Sequence, residues 1–348
     1  MRALIGTRKG LFRLERRRAG WRLSAPHFLG AAVTCARRDP RDGTIHVALE
    51  HGHWGPKLHR SRDDLASFEE IACPAFGANH ADGVVRRVMV LAPAGAEGRL
   101  LAGTDPGGLF ETTDSGESWS LNEPLWALRS ADRWFPSGGG VMLHSIEVEQ
   151  ERPAHLHVAV SCGGVYASED AGSSWQPRNQ GVPADYLPGR FPETGQDPHL
   201  LLRHPHNPLL LWQQNHCGNF RSTDGGLSWQ DATPGLPTPS AFALALDEQN
   251  EQAAWTIPMD SDAARVAPGG ALEVCRTDDG GRTWIRLRSG LPQTHCYDIV
   301  FRHALDAHAG WVLFGTTCGR LFASGDRGDS WQPIEGCLPP VNSVAFER

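Results

Sequence analysis

Histidine suits both proton transfer and divalent cations near neutral pH, and this chain carries 16 of them. Several stand in polar clusters. EHGHW brings together His51, His53 and Trp54, ANHADG holds His80 and Asp82, ETGQDPH holds Glu193, Gln196 and His199, and QNHCGN holds Asn215 and His216. Acid–base work is assigned to His51, His53, His144, Glu193, His199 and His216. Arg133 and Arg265 offer the planar fork that grips an anionic group, while Trp54, Trp126 and Trp134 offer flat faces to a sugar ring. Trp54, Arg133, Trp134 and Arg265, with His80, Gln196, Asn215, Asp260 and Asp298, form the expected substrate-binding set. No HExxH-like ligand spacing occurs, so the clustering allows a divalent metal without requiring one, and no other cofactor is implied. Three Cys-Gly pairs, Cys162-Gly163, Cys217-Gly218 and Cys318-Gly319, are a further candidate for thiolate or metal chemistry. Each histidine also has an ordinary alternative, a solvated ring or a bond to backbone.

Residues so far apart can be gathered by a repeat. TDDGGRTW at 277 recurs as TTDSGESW at 112, SEDAGSSW at 168, STDGGLSW at 222 and SGDRGDSW at 324. Two degraded copies precede them: SRDDLASF at 61, and KGLFRLERRRAGW, which ends on Trp21 and has lost the acid. The closing aromatics stand at 21, 68, 119, 175, 229, 284 and 331, spaced by 47, 51, 56, 54, 55 and 47 residues. That is close to the period of propeller blades. In the last unit YDIVFRH, GWVLFGT, GRLFAS and WQPI read as four strands. The first unit lacks its leading strand, and VNSVAFER remains after the seventh phrase. The expected fold is an all-β, seven-bladed propeller with four-stranded blades. It forms one domain over 1–348, closed by residues 341–347 pairing into the first blade. Blades are expected at about 2–23 with 341–347, 31–71, 84–121, 141–178, 198–231, 241–287 and 297–333.

Strand direction alternates within a blade. The phrase, between third and fourth strands, therefore shares a face with the first-to-second turns. Second-to-third turns and blade-to-blade connections share the other face with the insertions 123–140, 181–199 and 258–270. The chemical candidates map to this second rim, joined there by Asp105 and His295. Within the phrase, Asp279 is expected to cap its own turn, Gly281 to take positive φ, and Trp284 to bury its ring between neighbouring sheets.

The pattern [ST]-x-D-x-G-x-[ST]-W resembles the Asp-box, or bacterial neuraminidase (BNR) repeat, of sialidases, sortilin-type receptors and a photosystem II assembly factor. The resemblance implies a propeller whose boxes are structural turns remote from the active face. GTRKGLF, RSADRWFPSGGG and NHCGNFRSTDGG are similar to a bacterial group labelled exo-alpha-sialidase or glycosyl hydrolase. A true sialidase is not expected. That family carries a Tyr–Glu nucleophile pair, an arginine triad, an F-R-I-P motif and six blades, whereas this chain has 3 tyrosines. Its Phe12-Arg13-Leu14 is a repeat position, matched by Arg60, Arg221 and Arg276.

A net charge of −7 and a pI near 6.1 leave no basic footprint for nucleic acid, and no apolar run is long enough for a membrane span. No secretory signal is read at the N-terminus, and the 8 cysteines suggest free thiols in a reducing, cytoplasmic setting. Two function classes remain. An enzyme or binder for a small polar or glycan-like molecule needs a confined polar pocket with perturbed titratable groups. A non-catalytic binding or assembly scaffold, with a protein partner, needs a broad apolar patch. The polarity of the rim favours the first, an enzyme or a small-ligand binder; if it is an enzyme, the expected reaction is hydrolysis or related acid–base chemistry.

Overall fold

The computed structural model describes residues 1–78, 80, 83–132, 134–135 and 140–348; the candidates Asp82 and Arg133 lie outside these residues. Two-residue alternation builds the sheets. In IHVALEH, Val47 packs with Leu4 and Leu11 of one neighbouring blade, and Ala48 packs with Val88 and Phe110 of the other. The result is seven four-stranded antiparallel sheets. Their inner strands meet in succession around an axis: Ala32–Arg38, Arg87–Pro93, Leu143–Val148, Pro198–His204, Ala241–Leu246, Leu305–His308 and Val341–Phe346. This is a seven-bladed β-propeller.

Closure is composite. Val341–Phe346 pairs with Arg2–Thr7, setting Phe346 against Ala3 and Val344 against Ile5, and Gly10–Arg17 and Gly20–Leu23 complete that blade. Arg13 Nη2 binds Glu347 Oε1 at 2.8 Å and Asp64 Oδ1 at 2.7 Å, so charge-assisted bonds tie the joint to the second blade.

The repeated phrase stitches seams between blades. Asp279 Oδ2 accepts from Thr283 Oγ1 at 2.7 Å, while Oδ1 accepts from Thr277 Oγ1 and the Thr283 N–H, each at 2.9 Å. These bonds, Thr283 foremost, hold its carboxyl down to about 2. Gly281 has φ 87°, and a Cβ there would stand 2.5 Å from Ala232 Cβ in the preceding blade. Trp284 Nε1 donates to the Ala232 carbonyl at 2.8 Å; Trp229 does the same to Arg178 at 2.8 Å and Trp119 to Ala72 at 2.9 Å. The arginine before the phrase works the opposite seam. Arg60 donates to the Ser115 carbonyl at 2.8 Å and Arg276 to the Arg327 carbonyl at 2.9 Å, each in the turn of the following blade.

A second ring of bonds lies at the axis. Near the start of five inner strands the ladder skips a residue: Asn342, Thr34, Met89, His144 and His199. In a sixth strand it skips across Phe242–Ala243. Such bulges re-aim side chains, and here they reach the next blade. Asn342 Nδ2 donates to the Val33 carbonyl (3.0 Å), Thr34 Oγ1 to Val88 (2.7 Å), His144 Nε2 to Pro198 (2.8 Å) and His199 Nδ1 to Ala241 (2.7 Å). Each acceptor immediately precedes the extra residue of its own strand. Met89 and Phe242 share the register position but have no donor to offer.

The seventh blade extends the device. The Gly315 N–H bonds the Ala304 carbonyl and the Thr317 N–H bonds the Ile299 carbonyl. The intervening residues therefore bow out of the ladder, and YDIVFRH is not the regular strand its alternation suggests; the strand is Leu305–His308. Phe301, Arg302 and His303 line the central channel instead. The insertion 123–140, read as a loop, opens with a helix, Glu123–Ala131, whose Leu125 N–H is capped by Asn122 Oδ1 at 2.9 Å. Among the described residues, no helix is long and apolar enough to cross a membrane.

Trp284→Ala is expected to lower unfolding free energy by about 3 kcal/mol and Asp279→Ala by about 1 kcal/mol; urea midpoints unmoved in both would contradict the stitching role. Because the folded-state pKa of Asp279 is depressed, its contribution is present above about pH 4. It fades as pH falls towards about 2. At the axis, His144→Ala strands the Pro198 carbonyl and is expected to cost about 2 kcal/mol, with His144→Gln, which keeps a donor, losing less. Equal melting temperatures for wild type and both variants would rule the staple out.

Candidate functional site

Where the second-to-third turns gather, the channel opens into a cavity of about 700 Å³ lined by Arg8, Lys9, Thr34, Glu50, Arg87, Met142, Arg302, His303 and Asn342, among others. The phrase lies at the far end of the blades: the Ser115 N–H bonds the Gly98 carbonyl, and the Gly280 N–H bonds the Gln252 carbonyl, both in first-to-second turns. The mouth is cationic. Arg87 is shared between Glu50 (3.7 Å) and Asp105 (3.5 Å). Arg302 is different: its Nη1 is buried with no hydrogen-bond partner among the described residues. Burial draws its pKa down to about 10 against the pull of Asp197, so the guanidinium stays charged at neutral pH.

Asp197 belongs to a group that the fifth and sixth blades bring together. Asp197, His199 and His216 each place one candidate ligand atom within 4.8 Å of the others. Asp197 Oδ1 accepts the Cys162 N–H at 3.2 Å. His199 donates through Nδ1 to Ala241, so in the neutral ring Nε2 carries the lone pair; that nitrogen stands 3.8 Å from Asp197 Oδ2. His216 Nδ1 lies 2.6 Å from Asp262 Oδ2. Their bond raises the pKa of His216, outweighing burial, and lowers that of Asp262. Burial would push Asp197 up, but His199 and Arg302 more than offset it. The ring of Tyr186 sits edge-on to His216, with centroids 5.1 Å apart, and its hydroxyl donates to the Gly195 carbonyl. An imidazole–carboxylate pair with a raised imidazole pKa can exchange protons with a bound molecule near neutral pH.

The other sequence candidates divide three ways. His144 is fully buried; Nε2 serves the staple and Nδ1 meets Ser145 Oγ at 3.0 Å. Burial keeps it neutral, and neither nitrogen is free for proton transfer. Trp134, Gln196, Asn215 and Asp298 are also buried. Trp134 donates to Tyr166 Oη at 2.7 Å, Gln196 Nε2 to the Pro192 carbonyl at 2.6 Å, and Asn215 Nδ2 to Gln213 Oε1 at 3.2 Å, while Asp298 lies 3.5 Å from Arg320. These hold loops and blade edges. His51, His53, Trp54 and His80 belong to the rim near the second and third blades. Trp54 is 69 % exposed and stacks on His51 with centroids 3.8 Å apart, His53 is exposed, and His80 faces Glu123 at 3.1 Å. Glu193, Asp260 and Arg265 are exposed; Arg265 Nε donates to the Asp262 carbonyl at 3.2 Å. Arg133 lies outside the described residues.

His199, His216 and Arg265 thus share a locale with Asp197, Asp262, Tyr186 and Arg302, which the sequence reading did not place in the site. The Asp197–His199 spacing of two, at the head of a strand, was a readable signal. Cys318 and Cys217 are held as thiols: a bond to Asp298 holds Cys318 up to about 11, and burial raises Cys217.

No protein-family model matches the chain. A xyloglucanase of a Paenibacillus species is 24% identical over 261 residues, covering 67% of this chain and 23% of that protein. The GH74 xyloglucanase of Xanthomonas campestris superposes with a TM-score of 0.65 at 18% identity, covering 97% of this chain and 51% of that one. An ancestral GH74 enzyme gives a TM-score of 0.60 at 17% identity, covering 86% of this chain and 38% of that one. YCF48 bound to D1 peptide gives 0.55 at 16% identity, covering 87% of this chain and 82% of that one. The chain thus spans about a quarter of the xyloglucanase sequence, and the structural likenesses establish the fold alone.

The His216–Asp262 bond is directly testable. His216 is expected to titrate above its ordinary value of about 6.5 in an NMR pH series, and Asp262→Asn to return it to that range. A folded-state pKa raised above the unfolded value stabilises fully below about 6.5, and that contribution disappears as pH rises through the folded pKa. Asp262→Asn should therefore destabilise at pH 6 more than at pH 9; identical titration of His216 in both proteins would refute the pairing.

Proposed function

We propose that the chain binds a small polar, carboxylate-bearing molecule of glycan-like character in the channel mouth and hydrolyses it, with His216–Asp262 exchanging the protons. One observation carries the reading: the buried Nη1 of Arg302, unpartnered among the described residues at the base of a cationic mouth. A guanidinium nitrogen with no carboxylate hydrogen-bonded to it among the described residues suits a ligand that brings one. Arg8 and Lys9 add charge at the entrance, and His216 and Asp262 lie beyond Asp197. The xyloglucanase neighbours are consistent with a glycan-like substrate, and the repeated phrase is consistent with a BNR-type Asp-box. A sialidase reaction is not part of this reading. Tyr166 is fully buried with its hydroxyl committed to Asp132, and Tyr186 is hydrogen-bonded to Gly195.

A scaffold role has one observation in its favour. The exposed Trp54–His51 stack borders a shallow, largely apolar depression with Ala31, Leu49 and Gly55, a surface that suits a peptide.

Calorimetry with sugar acids and small carboxylates, against their neutral amides, tests the first reading. Acids are expected to bind and amides not, and Arg302→Met is expected to weaken binding roughly 30-fold or more while circular dichroism stays unchanged. Release of product from aryl glycosides and esters of the best-binding acid reports hydrolysis. Undiminished affinity in Arg302→Met, or a dependence on Trp54 instead, would transfer the function to the scaffold reading.

A further inference from the structure

We infer that Asp197, His199 and His216 form a divalent-metal site of the two-histidine, one-carboxylate kind, taking a borderline cation such as Zn²⁺. The inference deepens the proposed function by naming the group that would activate water, it rests on that reading only for this chemical role, and it revises one part of it: with an ion on Nε2, His216 serves as a ligand and the metal-bound water takes over the proton exchange.

Two ligands of one tetrahedral ion, at bond lengths of about 2.0–2.2 Å, stand roughly 3.3–3.6 Å apart. The three candidate atoms lie within 4.8 Å of one another, so an ion would draw them together by up to about an ångström. His199 Nε2 and Asp197 Oδ2, at 3.8 Å, are beyond hydrogen-bond reach yet close to the spacing for sharing a cation.

Every member is also held from behind, as metal ligands are. The Ala241 carbonyl takes the Nδ1 proton of His199 (2.7 Å), which turns a basic Nε2 to the site. Asp262 engages His216 Nδ1 (2.6 Å), so Nε2 is the nitrogen available to a cation. The Cys162 N–H binds Asp197 Oδ1 (3.2 Å), leaving Oδ2 to the ion. Asp262 Oδ1, buried without a hydrogen-bond partner among the described residues, keeps a second negative charge close by. The two carboxylates offset the charges of Arg302 and Arg265 nearby, so the attraction for a dication rests on the ligand set itself. Imidazole and carboxylate together suit Zn²⁺ and its first-row neighbours over Mg²⁺ or Ca²⁺. Such an ion lowers the pKa of a bound water towards neutrality, while Arg302 would hold the substrate's acid group. His144 is an internal contrast: it occupies the same bulge position one blade earlier, but both its nitrogens are spent.

Chelator-treated protein is titrated with Zn²⁺ by calorimetry and with Co²⁺ by visible absorption. Expected are one equivalent per chain, d–d bands with Co²⁺, and a raised melting temperature for wild type. Asp197→Asn and His216→Ala should each weaken binding by roughly 100-fold and Asp262→Asn by roughly 10–100-fold, while His144→Gln binds as wild type does. Absence of saturable binding, or wild-type affinity in Asp197→Asn and His216→Ala, overturns the site. The outcomes separate the two proposals. Zn²⁺ binding without affinity for carboxylates leaves the metal site standing and removes the ligand reading, and carboxylate binding through Arg302 without a metal does the reverse.

Discussion

The architecture depends on how seven inner strands converge on one axis without leaving polar backbone unpaired. A regular ladder carried to the mouth would leave a row of carbonyls facing a narrow, partly dehydrated neck. The chain resolves this with one extra residue near the start of most inner strands. Each bulge leaves a local break in its own ladder, and the side chain of the neighbouring bulge supplies a donor at that break. Asn342, Thr34, His144 and His199 are chemically unlike, yet each delivers one hydrogen to one carbonyl of the next blade. The requirement is for a donor of suitable reach, which is why the position tolerates three residue types.

The same constraint generates the candidate chemistry. His144 and His199 meet identical structural demands, but the second strand carries Asp197 two residues earlier and faces His216 and the insertion that supplies Asp262. One staple is therefore inert and the other leaves a basic nitrogen facing a carboxylate. Arg302 arises from the same position in the seventh blade, where the excursion from the ladder is longer and projects a charged side chain into the channel. Function is thus placed on repeat positions whose structural duty has been partly relieved.

Much of the fold was legible in the sequence because its signals are local and repeated. The period of the phrase set the blade count, and the surplus VNSVAFER pointed to the composite first blade. The turn roles of Asp279, Gly281 and Trp284 followed from residue chemistry. The bulges were not legible. A single extra residue leaves the alternation looking intact, so Arg302 was hidden inside what reads as a strand, and the burial of His144, Asn215 and Trp134 could not be told from exposure. The rim histidines were read as one cluster because loop topology assigns a face but not an azimuth. His51 and His53 stand near the second blade, and His199 and His216 near the fifth. Asn122, ahead of Glu-Pro, was a readable helix start inside an insertion treated as irregular.

Met89 and Phe242 occupy staple positions without the means to donate, and they face the junctions between the third and fourth and between the sixth and seventh blades. At these two junctions no such staple stands among the described residues, and packing resists sliding less than a directed bond does. They divide the ring almost across its diameter, into an arc of blades four to six and an arc of blades seven to three. Asp197, His199, His216 and Asp262 ride on the first arc and Arg302 on the second. The separation between the guanidinium and the imidazoles is therefore fixed by how the two arcs pack against each other, and the staples within each arc do not set it.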